Sequence, residues 1–470
     1  MGAHDGVEAR RAVGARRVVV VGGGIAGLAA AHRLRELGPE LEIVLLERAD
    51  RLGGKVCTQE FAGVPVETGA ETFLMREAGA ESAALRLAGR LGLTDALVHP
   101  APVPSALAID AELRPIPGRT LMGIPADPAT VADIAPVTGA DADTGRPLLA
   151  TGEDVSVGAL VRARLGDAVV ERLVDPLLGG VYAGRADGLS LQATIPGLHR
   201  TAQQARTLAD AVAQAMQAAP RPAGTPVFAS VVGGLSRYVS AVAEAARAQI
   251  RLGQTVRALE PTASGWRLRT GAAGRETEVD ADAVVLAVPA APTARLLQGV
   301  DAAAAAAVGE LPYASVALVT LALPAGTALP ALSGFLVPAD QGYAVKAATF
   351  MTTKWPHLST GAVIVRASLG RYGDNDVLQR TDDSLVDLVR AELPRLIGAP
   401  LPEPQAARVT RWGGALPQYG VGHVARVAAV RSTLPPTLGL AGAAFDGVGI
   451  AACVRSGEAA AEQVWRALHD

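Results

Sequence analysis

The segment Arg17–Gly27 reads RVVVVGGGIAG, and it constrains the chain more than any other stretch. Four β-branched residues, Val18 to Val21, make a buried strand. The strand runs straight into Gly22-x-Gly24-x-x-Gly27. Leu28 to Leu37 then has helical character, apolar at Leu28, Leu34 and Leu37 and charged at Arg33, Arg35 and Glu36. Gly38-Pro39 stops that helix, and residues 41–46 (LEIVLL) form the next strand, ending at Glu47. In this register the elements form a nucleotide-binding βαβ unit. Gly22 permits the tight turn, Gly24 lets a pyrophosphate approach the backbone, and Gly27 lets helix and strand pack. Gly23, Ile25 and Ala26 complete the helix start, whose N–H groups and positive dipole end suit a phosphate. Glu47 is placed for ribose hydroxyls and would repel a 2′-phosphate, which argues against NADP.

A second glycine turn follows at once, within Arg48 to Lys55 (RADRLGGK). Backbone N–H groups at Gly54 would reach a long extended cofactor from its other side. Arg48, Arg51 and Lys55 supply positive charge for a diphosphate. Gly69 and Ala70, with Glu71 beside them, are small, as needed where backbone lies against a flat ring. FAD fits this pair of turns better than NAD.

These blocks, GGGIAGLAAAHRL, ERADRLGGK and ETGAETF, resemble the flavin amine oxidase superfamily. Within it the chain is most similar to the porphyrinogen oxidases of haem synthesis. The segments that carry this are DPLLGGVYAGRADGLSL (175–191), TKWPH (353–357), Thr410-Arg411-Trp412, LPQYGVGH (416–423) and GLAGAAFDGVGIAACVRSG (439–457). They span almost the whole chain in the expected order. The resemblance is to the Gram-positive type, and implies FAD-dependent oxidation of coproporphyrinogen III to coproporphyrin III. Dioxygen is then the acceptor and hydrogen peroxide the second product. Protoporphyrinogen IX oxidation, amine oxidation and a non-catalytic FAD-binding role stay open as alternatives. A ferrochelatase contact and peripheral membrane contact also stay open.

The expected architecture is α/β with α+β inserts. Residues 15–78, 229–299 and 409–470 assemble a discontinuous, Rossmann-like FAD-binding domain. Residues 79–228 read as a mainly helical domain facing substrate or membrane, with an irregular loop near 126–153. Residues 300–408 read as a mixed-sheet substrate domain with a helix near 384–396. Leu311 to Ala339 carries no charge, yet its prolines and glycines make it two strands and a loop rather than a membrane span.

Composition excludes several classes. The 43 basic and 46 acidic residues leave no global field for nucleic acid. Two cysteines, Cys57 and Cys453, exclude a disulfide framework and a cysteine-rich metal site. The first fifteen residues read as a polar tail without the apolar core of a signal peptide. A cytoplasmic location fits best, and no metal-ligand spacing stands out. Only three lysines, Lys55, Lys346 and Lys354, occur in the chain.

The resemblance implies that Val256 meets the adenine through its backbone and that Trp412 lines the flavin edge. Gly447 to Ala451 (GVGIA) opens the last helix, so Val448, Gly449 and Ile450 would present N–H groups where charge develops on a reduced flavin. At Gly442 the following residue is Ala443, not an acid, so any contact there comes from backbone. The surroundings of Cys453 do not resemble the covalent flavin block, so FAD is expected to bind non-covalently. Arg76, Tyr182 and Lys346 are the substrate-binding candidates, two of them cations for propionates. No catalytic base emerges, which suits chemistry carried by a cofactor.

Overall fold

The computed structural model describes residues 16–220, 224–272, 274–359 and 361–470. The tail expected over residues 1–15 lies outside them. A five-stranded parallel sheet forms one centre, in the order Gln249–Arg251, Glu42–Leu46, Arg17–Val21, Ala283–Leu286, Leu438–Leu440. Its valines serve both faces. Val18 and Val20 pack with Leu28 and Leu34 of the Ile25–Leu37 helix, and with Val454 and Ala461 of the Ile450–Ala467 helix. Val19 and Val21 pack with Leu259, Trp266, Leu268 and Val279 of a three-stranded antiparallel sheet on the opposite side. A parallel strand buried on both faces needs such an unbroken apolar run.

A seven-stranded mixed sheet forms the second centre. Its order is Glu112–Pro115, Ser105–Ile109, Gly334–Leu336, Val345–Phe350, Val363–Leu369, Tyr313–Leu323, Ala406–Pro417. Only the Ser105–Ile109 and Gly334–Leu336 pair is parallel. The expected boundaries at 79 and 409 do not follow this sheet, because it takes two strands from within 79–228 and one that straddles 409. One face is covered by the Asp382–Ile397 helix through Leu385, Val389 and Leu393. Thr381 caps that helix by accepting the Ser384 N–H. Helices between Val157 and Ala218 build a third core around Val161, Leu173, Leu178 and Leu198, closed on one side by Tyr419. Among the described residues no helix is long and apolar enough to cross a membrane.

Candidate functional site

The first glycine turn has the geometry its spacing predicts. Gly22 has φ +109°, and a Cβ there would lie 2.5 Å from the Ala287 carbonyl oxygen. A Cβ on Gly27 would fall 1.9 Å from the Gly22 carbonyl oxygen. Gly24 is different, because a Cβ there meets nothing within 4 Å. It is also the N-cap of the Ile25–Leu37 helix and offers no side-chain cap. That helix start therefore faces open space.

The second turn lies directly against the first. The Gly53 N–H donates to the Gly23 carbonyl at 2.8 Å, and a Cβ on Gly54 would sit 3.3 Å from the Gly24 Cα. Arg51 folds back on this turn, donating to the Leu52 and Gly54 carbonyls. Arg48 is exposed. Glu47 accepts the Gly23 N–H at 2.7 Å and the Ala49 N–H at 2.8 Å. Each oxygen keeps acceptor capacity beyond that bond. The Gln254 N–H donates to the Glu47 carbonyl at 2.8 Å, which brings the strand starting at Val256 to the same end of the sheet.

The far end of the cradle comes from three distant segments. Ala70 N–H donates to the Lys55 carbonyl at 2.9 Å, and a Cβ on Gly69 would meet that same oxygen at 2.1 Å. Trp412 stands beside Gly69 and donates its indole N–H to the Thr68 carbonyl at 2.6 Å. Gly449, at φ +103°, caps the Ile450–Ala467 helix without a side-chain bond and has nothing within 4 Å of a built Cβ. Gly442, at φ +109°, donates its N–H to the Ser456 hydroxyl and approaches Ala26. Two helix starts, each capped by a bare glycine, thus point into one cleft. Lys55 and Cys453 lie near enough there for each charge to act on the other. Burial lowers the Lys55 ammonium and pushes the Cys453 thiol up to about 11.

Two expected site residues are placed otherwise. Both oxygens of the Glu71 carboxylate are taken, one by Lys354 at 2.7 Å and the Trp355 indole at 2.6 Å, the other by Arg366. Its role is to tie the cofactor segment to the mixed sheet, because those partners belong to the sheet and the turn after it. Arg76 sits exposed on a short hairpin and donates to the Gly79 carbonyl of its own turn. Nearness in sequence to Gly69 does not carry its side chain inward.

Tyr182 is buried and packs edge-on against Tyr419 at 5.7 Å between ring centroids. Burial pushes its hydroxyl up to about 12. Tyr419 bonds the Ala443 carbonyl, so this aromatic pair runs from the cofactor cleft to the helical core. His423 stacks behind Tyr419 at 4.4 Å, and its Nε2 is buried without a partner. Lys346 is 9% exposed and stands at a bulge in the Val345–Phe350 strand.

Residues 25–465 match the model for flavin containing amine oxidoreductases. The chain is 39% identical over 459 residues to a coproporphyrinogen III oxidase of Mycobacterium tuberculosis, covering 96% of this chain and 98% of that one. The chain belongs to the flavin containing amine oxidoreductase family. A coproporphyrinogen III oxidase of Bacillus subtilis is 32% identical, with 95% and 97% of the two chains covered. A crystal structure from Exiguobacterium sp. 255-15, provisionally named a protoporphyrinogen oxidase, superposes with a TM-score of 0.81 at 32% identity, covering 96% and 98%.

A flavin suits this cleft. Gly24 and Gly449 leave room exactly where a methyl would obstruct a ligand, and Lys55 has no ion-pair partner among the described residues. Sequence reasoning missed Asp446, which accepts a paired bond from Arg431 at 2.7 and 2.6 Å and holds the Ser456 hydroxyl. Through Ser456 it fixes the Gly442 turn. It also missed Arg371, whose importance depends on a bulge twenty-five residues away rather than on any local motif.

Proposed function

We propose that the protein oxidises coproporphyrinogen III to coproporphyrin III, using non-covalently bound FAD and dioxygen. The observation that carries this reading is the cleft formed by two bare-glycine helix starts and a second glycine turn, in a chain 39% identical to a named coproporphyrinogen III oxidase. Gly22 to Gly27 and Gly54 would hold the diphosphate, Glu47 the ribose, and Val256 the adenine end. Gly69, Ala70, Trp412, Gly442 and Val448 to Ile450 would border the flavin. When bound, a flavin would supply a two-electron oxidation in each round, the macrocycle losing a hydride from a bridge carbon and a proton from a pyrrole N–H, with both hydrogens and both electrons passing finally to dioxygen as hydrogen peroxide.

The chain's own part is to bind, orient and bias charge. The N–H groups at Ile450 favour negative charge beside them without a proton transfer. Tyr182 and Tyr419 offer an apolar wall for a bulky tetrapyrrole. Repeated rounds lead to the aromatic product. Cys453, with its thiol raised to about 11, is poorly disposed to form a thioether at neutral pH.

The test uses purified holoprotein. Porphyrin fluorescence is followed with coproporphyrinogen III and protoporphyrinogen IX in parallel, corrected for autoxidation. Acid precipitation should release FAD into the supernatant. Preference for coproporphyrinogen III supports the reading. Preference for protoporphyrinogen IX replaces the substrate, and activity on neither overturns it.

A further inference from the structure

Of the three lysines, one is paired and one faces the cofactor cleft. Lys354 bonds Glu71, and Lys55 feels the charge of Cys453 beside the second glycine turn. Lys346 does neither. It lies between the Val345↔Leu369 and Ala347↔Ser368 pairs, where the register slips by one residue. A bulge of this kind removes a residue from the ladder and re-aims its side chain. The Lys346 carbonyl still accepts the Val337 N–H at 2.8 Å, so the backbone is anchored. Its ammonium has no hydrogen bond or ion pair among the described residues.

The charge that acts on Lys346 has the same sign. Arg371 repels Lys346, adding to the effect of burial. The Arg371 guanidinium is itself fixed, donating to the Tyr343 carbonyl at 3.2 Å and the Val337 carbonyl at 3.1 Å. These bonds use two of its five N–H groups. No carboxylate lies within ion-pair distance of either cation among the described residues. Nearby acids are engaged elsewhere. Glu392 accepts the Ala344 and Val345 N–H groups, and Asp175 accepts the Ala186 N–H.

Lys346 is a buried cation beside a second cation, and the acids that act on Arg371, namely Asp374, Glu392 and Asp175, make no ion pair with it, so the arrangement is costly unless a ligand completes it. The location tells which ligand. The Tyr372 N–H donates to the Ala183 carbonyl at 2.6 Å, so the Arg371 loop touches the segment that carries Tyr182. Tyr182 meets Tyr419, and Tyr419 bonds Ala443 in the cofactor cleft. The Arg371 loop is therefore linked to the cofactor cleft through the aromatic pair. A macrocycle oxidised at its bridge carbons carries its carboxylates on the periphery, away from the reacting atoms.

We propose that Lys346 and Arg371 form the receptor for a propionate carboxylate of the porphyrinogen substrate. The proposal rests on the function argued above and adds the group that recognises the substrate's charge. Lys346 is the ligand-facing partner, because Arg371 also holds the loop backbone.

The experiment compares holoprotein and its Lys346→Met and Lys346→Arg variants, each checked by flavin absorbance and melting temperature. Binding of coproporphyrin III and of its tetramethyl ester is titrated by fluorescence. Steady-state oxidation of coproporphyrinogen III is measured alongside. For Lys346→Met the expected result is a rise of about 10- to 100-fold in Kd and KM for the free acid. Turnover at saturation stays within about threefold, because uniform binding has been removed. Ester binding is unchanged, and Lys346→Arg recovers most of the loss. Unchanged Kd for the free acid in Lys346→Met, or an equal loss for acid and ester, overturns the receptor. Failure of the unmodified protein to bind or oxidise either compound would instead overturn the functional reading beneath it.

Discussion

The Ala26 carbonyl oxygen lies 2.1 Å from where a Cβ on Gly457 would stand. No side chain fits in that gap. The first and last helices of the nucleotide-binding core therefore touch backbone to backbone, and their bare N-caps, Gly24 and Gly449, are locked into one cleft. The cofactor site depends on a contact between residues more than four hundred positions apart.

Gly457→Ala must separate these helices. Overpacking of this kind costs about 1–3 kcal/mol. The expected outcome is a lower melting temperature together with weaker flavin retention, read by thermal denaturation and by flavin absorbance after desalting. A variant with unchanged melting and full flavin content would show that the gap relaxes without cost.

Gly24→Ala should separate cofactor binding from folding. Gly24 has φ −71°, which alanine adopts freely, and its Cβ would enter open space. Loss of a glycine N-cap costs less than about 1 kcal/mol in the apoprotein. FAD affinity should fall by at least about tenfold, since the methyl occupies ligand space. Gly27→Ala is the contrasting control. Its methyl would strike the Gly22 carbonyl, so the apoprotein itself should be destabilised. Calorimetry of the two apoproteins, with FAD titration of the first, checks both outcomes.

The Glu71 cluster predicts an acid-sensitive junction. Burial pushes this carboxyl up, but Lys354 and Arg366 together hold it down to about 2. A carboxylate depressed on folding contributes stability above its unfolded value, near 4.3, and loses it as pH falls toward the folded value. Glu71→Gln leaves both cations without their shared partner. It should cost about 3–5 kcal/mol at neutral pH. The difference from the unmodified protein should shrink between about pH 5 and pH 2. Denaturant titrations across that range give the answer, and a pH-independent difference would count against the ion cluster.

The two glycine turns were legible because their constraint is local: the spacing alone dictates which positions cannot bear a Cβ. The unbroken β-branched run of Val18 to Val21 likewise sufficed to place a strand buried on both faces. The side-chain role of Glu71 was not legible, because its partners, Lys354 and Arg366, reach it through tertiary contacts. The outward course of Arg76 was hidden for the opposite reason, since a two-residue hairpin strand carries it out only three residues after the buried Phe73. The strands at Ser105–Ile109 and Glu112–Pro115 escaped because they are short and proline-flanked, and they pair with partners over two hundred residues away or across a tight turn. Lys346 stood out as a rare residue type, but its bulge exists only once two strands have paired out of register.

That bulge carries the last prediction, which needs no substrate. Burial, reinforced by Arg371, lowers the Lys346 ammonium to about 7. In the unfolded chain it titrates near 10.4. Between these values the unfolded state binds more protons, so this group's contribution to stability rises with pH through that window. Below about pH 7 the lysine is charged in both states, and the folded protein bears the full cost of burying it. Lys346→Met removes that cost while keeping the volume. It should stabilise the protein by about 1–3 kcal/mol at pH 6, with the gain fading toward pH 10. The same substitution should weaken binding of a carboxylate ligand. Stability gained where binding is lost is the pattern of a residue kept for function. Equilibrium unfolding at pH 6, 8 and 10 measures it, and a destabilised variant at pH 6 would mean that the ammonium has a stabilising partner in the folded chain.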